Sequence, residues 1–275
     1  MRDIHFQPGR LPGRAVIAVM GPEAAHFLHN LLTADIEGLA AGGASYAALL
    51  SPQGKILSDM FVLRQEDGCL IDCAAKHKAD LVKRLTIYRL RAKIEIAARE
   101  DLAVSVSLQA FAGGYPDPRA GAIGWRGFTE APGPDAQGYD AARIALGLAD
   151  SEADLGAGEF FPHEANLDQL GGVSFRKGCY VGQEVVSRME HRGTARSRIL
   201  PVALEGSAPP RGAGIRAGEK QVGTLLSSAG SLALALIRLD RLAEADAPLV
   251  ADGAPLHVLK PRWARYEVPG AEEIA

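Results

Sequence analysis

Residues 177–188 read Lys-Gly-Cys-Tyr-Val-Gly-Gln-Glu-Val-Val-Ser-Arg, or KGCYVGQEVVSR. Val185, Val186 and Met189 carry the apolar spacing of an amphipathic helix that starts near Gly182, with Gly193 as its terminator. Cys179 lies just ahead of that helix and just behind Arg176 and Lys177. Cations and helix N-termini both favour a thiolate, the form of cysteine that attacks and that binds metals. Gly178 and Gly182 let the backbone bend sharply and let another group come close. A small buried cysteine in a tight turn explains the same residues, and at this point both readings stand.

Upstream, Arg14 to Met20 alternates as a strand, and Gly21-Pro22 leads into a helix whose apolar residues Ala24, Phe27, Leu28, Leu31 and Leu32 end it near Thr33. Ser45–Leu50, Ile56–Arg64 and Cys69–Ala74 read as three strands joined by turns at Pro52-Gln53-Gly54 and Glu66-Asp67-Gly68. A helix from about Lys78 to Tyr88 follows, then strands at Lys93–Ala98 and Leu102–Leu108. Strands joined in hairpins and interleaved with helices indicate α+β rather than a doubly wound parallel sheet. Residues 112–138, rich in glycine and proline, are a candidate linker with room for one strand at Ala122–Thr129. Ala141–Leu148 reads as a short helix. Beyond Ile199, short apolar segments at Leu200–Leu204, Gln221–Ser227, Leu232–Leu239 and Leu256–Val258 alternate with glycine and proline, the texture of a small antiparallel barrel or sandwich.

The chain has 275 residues, enough for two or three modest domains. Its net charge of -3 gives no global electrostatic case for nucleic acid or an anionic membrane, and neither is expected as a partner. No apolar run reaches membrane-spanning length, and the first residues lack the apolar core of a signal peptide. Three cysteines do not make a disulfide framework, so the expectation is a reduced, cytoplasmic protein. Cys69 and Cys73 share a strand face too far apart for a tight chelate and read as core filling, as do His26 and His29 on the first helix.

Two carboxylates stand out. Asp59, in GKILSDMFVLR, is a polar residue inside an apolar run, where burial demands a partner or a ligand and an edge position facing water is the alternative. Glu164, in FFPHEANLD, reads as a capping or surface residue. Basic clusters at Arg89, Arg91 and Lys93 and at Arg188, Arg192, Arg196 and Arg198 suit a polyanionic tail or phosphates, or form a solvated face.

The stretch GGVSFRKGCYVGQEVVSRMEHRGTARSR resembles the signature of the YgfZ-type folate-binding proteins. These are relatives of the glycine cleavage T-protein (aminomethyltransferase) and of mitochondrial iron–sulfur assembly factors. FFPHEANLDQLGGVSF, LTADIEGLAAGGASYAALLSPQGKILSDMFVLR and QVGTLLSSAGSLALALIRLD extend the likeness over nearly the whole chain. The resemblance implies a three-lobed ring: two intertwined α+β lobes, the first from about 1–45 with 140–195 and the second from about 46–139, then a β-barrel from 196–275. It implies a tetrahydrofolate cavity with Cys179 at its mouth and Asp59 near the reactive folate nitrogens. It assigns Lys177, Gly178, Tyr180, Gly182, Gln183, Glu184, Arg188, Glu164 and Arg91 to cofactor binding. Ala149 falls at or near the position of the T-protein glutamate that grips the pterin, which argues against efficient aminomethyl transfer.

The resulting expectation is a folate-binding accessory factor for iron–sulfur assembly or repair, with links to tRNA modification. Its expected partners are assembly proteins or client iron–sulfur enzymes, and Cys179 is a possible shared cluster ligand, since one cysteine cannot complete a cluster. The alternatives are a tetrahydrofolate-dependent aminomethyltransferase or N-demethylase using Asp59, and a scaffold that docks a partner or RNA through its arginines.

Overall fold

The computed structural model describes residues 4–130, 133–193 and 195–273. Ala131 and Pro132 of the glycine- and proline-rich stretch, and Thr194 of the arginine-rich segment, lie outside the described residues.

The short β1 (Gly9–Arg10) precedes β2 (Arg14–Met20), and α1 (Ala24–Leu31) buries Ala24, Phe27, Leu28 and Leu31. These are the i, i+3, i+4 and i+7 positions of one helix stripe. Leu32 has turned extended and bridges to Leu49, which ends the helix there. The strands β3 (Ala44–Leu50), β4 (Ile56–Gln65) and β5 (Gly68–Ala74) form successive hairpins; α2 (Lys78–Arg89) then leads to β6 (Glu95–Ala98). Together they make a five-stranded antiparallel sheet in the order β3-β4-β5-β2-β6. β4 is an interior strand with both faces covered, which explains its near-continuous apolar run. Met60 and Val62 pack with α1 and β2 residues such as Leu28, Ile17 and Val19. Phe61 points the other way, into a second core with Tyr46 and Ala48.

The candidate linker is corrected. β7 (Ala103–Ser107), β8 (Gly114–Pro116) and β9 (Trp125–Thr129) join β1 in a four-stranded sheet of order β1-β7-β9-β8. The glycines there serve close backbone contact rather than flexibility. A Cβ on Gly127 would lie 2.3 Å from the Gly113 carbonyl oxygen.

Two sheets are joined by buried charge. Asp72 on β5 accepts from Arg14 Nε at 2.6 Å and from Arg126 Nη2, on β9, at 2.5 Å. Arg126 also reaches Asp117 at 3.2 Å, Asp117 holds Arg119 at 2.9 Å, and Arg14 reaches Asp150 at 3.2 Å. All six side chains are almost fully enclosed. Phe61 lies among the cations, with Arg126 Cζ 3.5 Å and Arg119 Cζ 4.7 Å from its ring centroid.

After α3 (Tyr139–Ala145) the chain runs through turns to α4 (Gln183–Arg192) and then enters β10 (Ser197–Leu204). β11 (Gly214–Ala217), β12 (Lys220–Ala229), β13 (Leu232–Arg238), the helical turn α5 (Leu239–Ala243), β14 (Leu249–Ala251) and β15 (Ala254–Lys260) follow. β10 pairs with both β13 and β15, closing a six-stranded antiparallel barrel; β16 (Glu272–Glu273) adds a short parallel pairing to β15. Closure removes the free edges that an open sheet would expose. The barrel is fastened to the rest by Arg143, which bonds Asp154 at 2.6 Å and Ser227 Oγ at 3.2 Å, and by the Trp263 indole N–H on the Leu146 carbonyl at 2.8 Å. Among the described residues no helix is long and apolar enough to cross a membrane.

Candidate functional site at the Cys179 loop

The segments that carry the resemblance converge on the β3–β4 turn. Gly182 has φ +82° and caps α4 in the left-handed conformation, while Gly193 ends the same helix at φ +55°. A Cβ on Gly182 would meet the Ser51 carbonyl oxygen at 2.6 Å and Gly54 Cα at 3.0 Å. A Cβ on Gly54, itself at φ +78°, would meet Val185 Cβ at 2.8 Å. The two glycines thus press the start of α4 onto the turn after β3. The FFPHE segment docks there too: the Ile56 N–H donates to the Phe160 carbonyl at 2.8 Å, and Lys55 Nζ lies 3.5 Å over the Phe161 ring.

Lys177 has a different job from the one expected of a cation beside a thiol. Its Nζ donates to the Leu32 carbonyl at 2.6 Å and to the His29 carbonyl, occupying unpaired acceptors at the C-terminal end of α1. Burial pulls its pKa down to about 8, opposed by Asp35 and Glu37. Thr33 completes the clamp, donating from Oγ to the Gly172 carbonyl at 2.5 Å and accepting the Ser174 N–H at its own carbonyl at 2.9 Å. Tyr180 is buried in the central core. Held at Lys177 and Tyr180, the intervening Gly178 and Cys179 stand exposed. Cys69 and Cys73 are buried. The buried-turn reading of Cys179 is thereby excluded.

Other expected site residues divide. Glu164 accepts the Phe161 N–H at 2.8 Å and lies 3.8 Å from Lys55 Nζ, so it shapes the turn beneath the loop. Gln183 is half-buried, and Glu184 and Arg188 are exposed on α4. Arg91 is elsewhere. It lies exposed past α2 in a recess of about 540 Å³ lined also by Met20, Gly21 and Lys93, none of them from the Cys179 loop.

Asp59 is not at an edge. It lies on the interior strand β4, fully buried, with Oδ2 accepting the Tyr46 hydroxyl at 2.9 Å and its N–H donating to Ser151 Oγ at 3.2 Å. Oδ1 is buried without a hydrogen-bond partner among the described residues. Burial and Asp59 both push the Tyr46 pKa well above the ordinary tyrosine range, so its hydroxyl stays a donor. Ala149 is buried, and its carbonyl accepts from Arg119 at 3.3 Å.

Residues 14–109 match the GCVT N-terminal domain, and residues 196–266 match the CAF17 C-terminal beta-barrel domain. The human mitochondrial iron–sulfur cluster assembly factor IBA57 is 32% identical over 276 residues, covering 85% of this chain and 78% of the human protein. The chain belongs to the IBA57 family of iron–sulfur cluster assembly factors. The mouse IBA57 protein is 31% identical over 278 residues, with the same two coverages of 85% and 78%. The Pyricularia oryzae IBA57 homolog is 32% identical over 288 residues, covering 86% of this chain and 73% of the relative. The glycine cleavage system aminomethyltransferase T from Bartonella henselae superposes with a TM-score of 0.74 at 17% identity, over 96% of this chain and 88% of that one. That likeness is one of fold. The cytoplasmic expectation is corrected, because these IBA57-family relatives are named as mitochondrial. Cysteine usage reports a reducing environment, not which compartment supplies it.

Replacing Gly182 with alanine tests the IBA57-family loop clamp. Both the positive φ and the 2.6 Å clash oppose a side chain, so a loss of about 1–3 kcal/mol is expected in urea unfolding. The Cys179 alkylation rate is expected to change with it. A variant as stable as the parent would show that the α4 start tolerates displacement.

Proposed function

We propose that this chain is an iron–sulfur assembly factor that offers Cys179 as one ligand to a cluster in transit, the remaining ligands coming from a carrier or client protein. The observation that carries the reading is the exposed thiol on a doubly anchored loop, in a chain whose other two cysteines are enclosed in a strand. Cluster iron is held by thiolates, and a single one leaves room for a donor and an acceptor to exchange ligands. The two anchors matter because a transfer site must present its sulfur in a fixed place. In a strain lacking this chain, Cys179→Ser is expected to abolish rescue of iron–sulfur enzyme activity, whereas Asp59→Asn retains it. The reverse pattern would favour folate-dependent group transfer.

Tetrahydrofolate is proposed as a ligand with a single anchoring point. The bare Oδ1 of Asp59 is a buried acceptor that a pterin N–H would satisfy. The second point of grip does not fit. Ala149 has no carboxylate, and Phe61 with its surrounding guanidinium groups fills the face beside Asp59. Aminomethyl transfer is therefore not the reading the site supports. Asp59→Asn is expected to weaken tetrahydrofolate binding about tenfold or more, as loss of a hydrogen bond to a charged group does. Anaerobic titration calorimetry measures it, and equal affinity would remove Asp59 from the contact.

A further inference from the structure

Beside the Cys179 loop lies a cluster with no part in the reading above. His163 and Asp168 come from the turns before the loop, and Glu190 from α4. One donor atom from each lies within 4.8 Å of the other two. His163 Nε2 and Glu190 Oε2 share a hydrogen bond at 3.1 Å, which is also the spacing of adjacent ligands around one ion with bonds of about 2.0–2.2 Å. The His163 side chain is 2% exposed, yet its Nδ1 has no hydrogen-bond partner among the described residues. With Nδ1 carrying the ring proton, the Nε2 lone pair that faces Glu190 is available to an ion.

The supports of a metal site are also present. Arg198 Nη1 bonds Asp168 Oδ1 at 2.6 Å, and Gln169 Nε2 bonds Oδ2 at 2.7 Å, fixing the carboxylate plane. Arg198 further donates to the His163 carbonyl at 2.6 Å. The Phe175 ring lies 6.1 Å from the imidazole, and Glu190, 45% exposed, leaves an entry path. Two carboxylates against one guanidinium give the cluster a net charge of about -1 when the imidazole is neutral, which a dication reverses without excess.

We propose that His163, Asp168 and Glu190 bind one divalent transition-metal ion, zinc or iron(II) in class, between α4 and the turn that precedes the Cys179 loop. One nitrogen and two oxygens suit such ions better than magnesium or calcium, which take oxygen ligands alone. Three protein ligands leave positions for water. The ion would tie α4 to the 163–168 turn independently of any cluster held at Cys179.

The test uses the full chain carrying Cys179→Ser, so that the exposed thiol cannot bind metal. Titration with Zn²⁺ is expected to show one ion per chain and a rise in melting temperature, and Co²⁺ to give visible bands of a nitrogen–oxygen site. Glu190→Gln added to that background keeps an acceptor for His163 at an exposed position. It is expected to weaken zinc binding by more than about tenfold, since outer-shell changes alone reach that size. Excess Mg²⁺ should not displace the zinc. No saturable zinc binding in the Cys179→Ser protein, unchanged binding after Glu190→Gln, or equal competition by Mg²⁺ would each overturn the assignment.

Discussion

Asp72→Asn is expected to destabilise the protein by about 3–5 kcal/mol, the usual penalty for stranding a buried charge. Asp72 is the acid shared by Arg14 and Arg126, with side chains 0%, 2% and 1% exposed. Asparagine keeps the shape and removes the charge, so two guanidinium groups remain in the interior. Arg14 would retain Asp150 at 3.2 Å and Arg126 would retain Asp117 at 3.2 Å, both longer than the ion pairs that each makes with Asp72. The loss is a large part of a typical folding stability of about 5–15 kcal/mol. Because Asp72 sits on β5 and Arg126 on β9, the joint between two sheets should loosen first. Urea unfolding measures the stability, and hydrogen exchange at β9 measures the joint. A loss below about 1 kcal/mol would show that the remaining acids carry the charge.

Cys179→Ser is expected to do the opposite: no effect on the fold and a complete loss of function. The side chain is exposed, and surface substitutions of this kind stay within about 0.5 kcal/mol. Serine replaces a polarisable thiol, which binds iron as the thiolate, with a hydroxyl that is a poor ligand for cluster iron. Rescue of iron–sulfur enzyme activity should fall to the level of the deletion. Rescue at the parental level would eliminate the thiol mechanism, whatever the loop geometry.

Local patterns are legible in the sequence and distant pairings are not. β2 is legible at its observed bounds, and α1 through its apolar stripe, because each buries a periodic face. Of the two local readings of Glu164, capping or surface polar, the fold shows the first, with a partner, Phe161, only three residues back. Asp59 stands out as an acid inside an apolar run, and the same signal exists for Asp72 in GCLIDCA. What hides the network is Arg126, 54 residues from Asp72 in a stretch whose glycines and prolines suggest a linker. β11 and β14, four and three residues long, have too little pattern to separate from turns. Lys177 reads locally as a cation for a thiolate or a cofactor. Its partner in the fold, the Leu32 carbonyl, is 145 residues away and leaves no trace in the local sequence.

The central claim is that the Cys179 sulfur enters the coordination of a cluster in transfer. Its most direct test is anaerobic reconstitution of the full chain with ferrous iron, sulfide and excess glutathione, the latter standing in for the partner's thiols, followed by Mössbauer and visible circular dichroism spectra of the desalted protein. A cluster retained by the parent and by Asp59→Asn but absent from Cys179→Ser is the predicted result. Equal cluster content in the Cys179→Ser protein, or none in the parent, would contradict it.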